Sequence, residues 1–181
     1  MSMNAWHFCR LGVLRPLLRD GRELPPIGEW LEEPTAVICE RGLHGSWRAF
    51  DALRYAPSIG VRLAACLVEV EDVVTEHADK FVCKRRKVIA WAPCDDVLRL
   101  FARQSALSVL HLWQGEVPAV VREYLETGNE EIRAAGSAAA SAAAWAAADA
   151  AAWAAAWAAA ISRLNFTLES MLLAEMPGMA S

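Results

Sequence analysis

The stretch VRLAACLVEVEDVV, from Val61 to Val74, carries the strongest strand signal in the chain. Its near-continuous apolar run predicts a strand buried on both faces, and so a sheet with cover on each side. Downstream of it, KRRKVIAWAP (Lys84–Pro93) reads as a second strand entered from a basic turn. Upstream, NAWHFCRL (Asn4–Leu11) alternates as a first strand. Trp6, Phe8 and Arg10 fall on one face, with His7 and Cys9 on the other. RDGRELPPIGEW (Arg19–Trp30) is punctuated by Gly and Pro and predicts a turn and an irregular segment. TAVICE (Thr35–Glu40) reads as a short strand that Gly42 turns. Ser46 is placed to cap a helix from Trp47 to Ala56, which Pro57 stops.

After Pro93 the periodicity changes to helical. A helix is expected from Cys94 to about Trp113 and a shorter one from about Val117 to Leu125. Gly128 breaks the pattern and Asn129 can cap the next helix. No proline interrupts the stretch from about 130 to 173, and 20 of the 27 residues from Ala134 to Ala160 are alanine. Trp145, Trp153 and Trp157 share one broad face of that helix, with Asp149 among them. Its bare methyl faces suit close helix pairing, within the chain or in a homo-oligomer. A membrane span is disfavoured by Asp149 and by the weak apolarity of alanine. The expected class is α+β: a mixed sheet with a short helix over 1–93, and a helical region over 94–181.

The 181 residues are 55% hydrophobic and 22% charged, a globular profile, and the formal net charge is -4. An acidic balance argues against wrapping nucleic acid. The five cysteines form no CxxC pair and read as reduced thiols of a cytoplasmic protein, with no metal site expected. The N-terminus lacks an apolar signal segment. In the basic run DKFVCKRRKV (Asp79–Val88), Lys80, Lys84, Arg85, Arg86 and Lys87 could contact phosphate, with Lys84, Arg85 and Arg86 the leading candidates, or could simply charge a strand edge against pairing.

The segment GLHGSWRAFDALRYA (Gly42–Ala56) admits two readings. In one, the glycines admit a ligand close to the backbone, helix amides from Trp47 onward face a phosphate, and His44 and Tyr55 flank it. In the other, Gly42 is a turn, Trp47, Phe50 and Leu53 form a core stripe, and Asp51 pairs with Arg48 or Arg54.

That segment, followed by the strand RLAACLVEVEDVV, resembles the central part of the ADP-ribosyltransferase fold, in its poly(ADP-ribose) polymerase branch. His44 stands where the polymerases usually have tyrosine. The resemblance implies a nucleotide pocket lined by His7, His44, Ser46 and Tyr55. Arg48 or the basic strand would lie near phosphate, and NAD would be the substrate or ligand. If the chain is catalytic, it would cleave the bond between nicotinamide and ribose, with Glu76 and Asp79 the candidate carboxylates.

HFCR, the GLH…DAL…YA module, DK (Asp79, Lys80) and the alanine-rich tail leading to LESML also resemble an uncharacterised family of small phage and bacterial proteins. This second likeness implies a phage origin. It suggests an alternative, non-enzymatic role in the host cytoplasm: sequestering an immune nucleotide signal, or binding a host defence protein through an oligomeric helical surface.

Overall fold

The structure is a computed structural model that describes residues 2–57, 60–113, 115–133 and 153–179, with side chains in the last stretch from residue 160 onward. The alanine-rich row from 134 to 152, with Trp145 and Asp149, lies outside the described residues, as do the side chains of Trp153 and Trp157. The chain divides into two compact units, one of Met1–Val97 with Arg163–Ser181, the other of Leu98–Ser162. The class is α+β.

In the first unit the strands are β1 (Met3–Leu11), β2 (Pro16–Leu17), β3 (Trp30–Glu32), β4 (Leu43–Gly45), β5 (Leu63–Glu76) and β6 (Phe81–Pro93). Their order is β2-β1-β5-β6-β3, with β4 also on β6. Every strand pairing is antiparallel, where a mixed sheet was expected. The reason is local: β5 and β6 are joined by a tight turn, His77 N donating to Lys80 O at 2.7 Å, and no helical crossover separates them. Past β4, Ser46 exchanges two backbone hydrogen bonds with Trp6 of β1, at 2.8 and 3.1 Å. The path β1–β5–β6–β4 thus returns to β1.

The register explains the burial of β5. Ala5 faces Val68 and His7 faces Cys66, so one side of the sheet carries Ala5, Cys9, Cys66, Val68, Val70, Phe81 and Val88 into a common core. The opposite side carries Trp6, Phe8 and Leu67, also buried. Asp72, with φ 53, sits in β5 just before the register shifts between Val73 and Thr75. Beyond that point burial gives way to solvent, as a bulge that bends a strand allows.

TAVICE is not a strand. Val37 and Arg41 bond to each other across a turn, at 2.7 and 2.9 Å, and Cys39 at its centre has φ 65. The turn feeds β4, which falls where a plain turn was expected. β2 and β3 arise inside the segment read as irregular or beside it. β3 is held by what β6 offers it: Arg85 reaches Glu32 at 3.1 Å and lies 4.5 Å over the Trp30 ring.

Helix α1 is Ala49–Leu53, shorter than expected, and its N-cap position is Arg48, not Ser46. Helix α2 is Asp95–Ser108, followed by a 3-10 turn at Leu110–Leu112; α3 is Ala119–Thr127; α4 is Trp153–Glu175. In the second unit, Gly128 ends α3 at φ 71 with its N–H on Tyr124 O at 2.8 Å. Asn129 Oδ1 then accepts Glu131 N–H at 3.0 Å, closing a turn over 129–131; the helix it was expected to cap lies outside the described residues. No described helix is long and apolar enough to cross a membrane.

Candidate functional site

The elbow before α1 is occupied by the chain itself. Glu169 Oε1 accepts the Ala49 N–H at 3.0 Å and the Arg48 Nε–H at 2.9 Å. Asn165 Oδ1 accepts the Phe50 N–H at 2.8 Å. Helix amides attract negative charge, and here α4 supplies it. The expectation that these amides and Arg48 face a phosphate is therefore corrected: their partner is a carboxylate some 120 residues downstream. Ser46 is corrected as a ligand residue too, being 1% exposed with its backbone tied to Trp6. The C-terminal stripe that carries Asn165 and Glu169 also carries Leu168, Leu172 and Met176, each at most 1% exposed. Asp51 finds neither expected arginine as an ion-pair partner, since Arg48 is taken by Glu169 and Arg54 by Asp79.

The basic run does not act as one surface. Arg86 is 3% exposed, opposite Val70 and Leu31, and its Nη1 donates to His44 O at 2.5 Å. It is therefore withdrawn as a phosphate contact. Arg85 is ion-paired with Glu71 and Glu32, and Lys87 with Glu69 at 2.8 Å. Lys84 is exposed.

His7 lies in β1 opposite Cys66 and next to a buried thiol pair. The hydrogen bond with Cys9, together with burial, holds the Cys66 thiol well above the ordinary range.

A chain of contacts runs from His44 to Tyr55 through Cys39, which sequence reasoning does not assign to the site, and Lys80, a member of the basic run. His44 Nε2 accepts the Cys39 N–H at 3.0 Å. Its proton is therefore on Nδ1, which donates to Gly42 O at 3.2 Å. Cys39 Sγ is 3.0 Å from Lys80 Nζ, which itself lies 4.8 Å over the Tyr55 ring. Tyr55 O–H donates to Asp79 Oδ2 at 2.5 Å, and Arg54 reaches the same oxygen at 3.5 Å. That shared bond raises the Tyr55 phenol and lowers the Asp79 carboxyl. Glu76, the other candidate carboxylate, accepts the Trp47 Nε1–H at 2.8 Å. Among the described residues no group of three or more His, Cys, Asp or Glu is arranged as metal ligands. The adjacency of Cys39 to the turn at Gly42 was the available signal for its role.

Burial lowers the His44 pKa from 6.5, with the charges of Arg86, His7 and Lys80 acting in the same direction and the Gly42 bond opposing. Below about pH 6.5 the unfolded chain binds a proton that the folded ring resists. His44 thus contributes stability that is present above the unfolded value and lost as pH falls through the folded one. We expect the urea midpoint to fall between about pH 7 and about pH 5, and His44→Gln to flatten that slope. An unchanged slope in the variant would assign the pH dependence to other groups.

A family model described as a domain of unknown function (DUF7666) matches residues 21–100. That span includes the turn at Cys39, β4, α1, β5 and β6, and excludes Asn165 and Glu169. No curated protein and no solved structure matches the chain.

Proposed function

We propose that the chain binds a nucleotide-type ligand, NAD-derived or a nucleotide signal, and holds it without cleaving it. The observation that carries this reading is the chain of contacts that joins His44, Cys39, Lys80 and Tyr55. A Tyr55 ring that is 48% exposed offers a flat face for a base or nicotinamide. The Lys80 ammonium beside it offers charge for a phosphate. His44, with both ring nitrogens bonded to backbone, gives the turn a fixed wall. Binding is favoured over turnover because Glu76 and Asp79 are both engaged with aromatic side chains. A carboxylate that stabilises developing positive charge on a ribose needs to face that ribose. In the phage setting implied by the second resemblance, such a protein would withdraw a host defence nucleotide from use.

A melting screen against NAD, ADP-ribose and cyclic nucleotides tests this. A ligand at about 100 times its Kd stabilises by about 2.7 kcal/mol, a rise of several degrees in Tm. Tyr55→Ala should abolish the rise, and no nicotinamide should be released from NAD. A screen in which none of these compounds moves the Tm overturns the proposal.

A further inference from the structure

We infer that Cys39 and Lys80 form a covalent modification site, in which a hydroperoxide converts their contact into a sulfur–nitrogen bond. The inference stands apart from nucleotide binding and rests on placement. Cys39 is the exposed cysteine; Cys9, Cys66, Cys83 and Cys94 are buried. Its sulfur is 3.0 Å from Lys80 Nζ, within reach of bond formation after a small approach. Both ends of the contact are held. The Cys39 N–H is bonded to the His44 ring, and Lys80 belongs to the turn closed by its own carbonyl on His77 N–H. Lys80 lies over Tyr55, which Asp79 fixes through its hydroxyl. Fixed geometry of this kind gives a neighbouring nucleophile a large advantage over solvent.

The chemistry balances with one oxidant. The thiolate is the form that attacks peroxide. Its sulfur takes the distal oxygen of the hydroperoxide, the O–O bond breaks, and Cys39 becomes a sulfenic acid, oxidised by two electrons. The leaving hydroxide or alkoxide takes a proton from the Lys80 ammonium, which frees the amine. The amine nitrogen attacks sulfur, the S–N bond forms, the S–O bond breaks, and the departing hydroxide leaves as water with the second amine proton. The sum with hydrogen peroxide is one thiol, one amine and one peroxide giving one sulfenamide and two waters. A thiol reductant reverses it. Sulfenic acids are known to condense with nitrogen in this way. The product removes the Lys80 charge and cross-links the turn before β4 to the turn between β5 and β6.

The test uses the full chain, treated with hydrogen peroxide, digested and mapped by mass. The expected product is a linked pair of peptides carrying Cys39 and Lys80, lighter by two hydrogens and restored by dithiothreitol. Lys80→Arg keeps the cation and removes the competent amine. In it the linked pair disappears and Cys39 sulfinic acid rises severalfold. Cys39→Ser gives neither product. Circular dichroism of each variant confirms that the fold persists. If the wild-type chain yields Cys39 sulfinic acid as readily as Lys80→Arg does, with Lys80 recovered free, the inference is overturned.

Discussion

A chain that stops at Ser162 fails to hold its sheet together, although every strand is still present. The first unit is not residues 1–97 alone, because it takes in Arg163–Ser181. Leu168 and Leu172 are 0% exposed and Met176 is 1% exposed. Truncating one such side chain to alanine costs about 2–5 kcal/mol. Removing all of them approaches or exceeds the ~5–15 kcal/mol total of an ordinary domain. The deletion also strips Asn165 and Glu169 from α1, whose N-cap residue has no side-chain cap bond of its own. Far-UV circular dichroism and urea titration of the shortened chain should show no cooperative transition. Leu172→Ala in the full chain gives the graded version, a loss of about 2–5 kcal/mol. A shortened chain that melts at the wild-type midpoint would mean that the C-terminal stripe is an ornament.

Gly42→Ala is the second large effect. The residue has φ +115, and a methyl there would stand 2.6 Å from Val82 Cγ2 and 3.0 Å from Ala36 Cα. The backbone angle alone costs about 1–3 kcal/mol for a residue with a Cβ. The contact with Val82 adds overpacking of about 1–3 kcal/mol, since Val82 is fully buried and cannot swing away. Gly21→Ala is the control: its φ is +88, but nothing lies within 4 Å of the new methyl. It should lose only the strain. Equal losses in the two variants, read from urea midpoints, would show that the space around Gly42 is looser than the distances say.

The long elements were legible because their cause is local. Val61–Val74 and Lys84–Pro93 announce strands through the run and alternation of their own side chains, and β5 and β6 fall there. Gly128 announces a helix end and serves as one. The short strands were not legible. β3 depends on Arg85 and Lys87 of β6, and nothing within Trp30–Glu32 reveals that. KRRK looks uniformly charged, yet strand alternation puts Lys84 and Arg86 on the face opposite Arg85 and Lys87, and of that pair Arg86, farther from the strand's start, is the one buried.

At the site, the histidine, the tyrosine and the lysine stand out in the sequence, whereas Cys39 does not. Cys39 and Lys80 meet across two turns, 41 positions apart. The filling of the elbow by Glu169 is farther still, a pairing that no local pattern encodes. The same sequence that suggested a phosphate there also held the carboxylate that replaces it.

The clasp of α4 on α1 has a consequence for synthesis. Arg163 leaves the ribosome about 70 residues after Pro93 completes the last strand. At ~5–20 residues per second the first unit waits on the order of 4 to 14 s for its last segment. During that interval the first amides of α1 lack Asn165 and Glu169, and nascent-chain chaperones have time to bind.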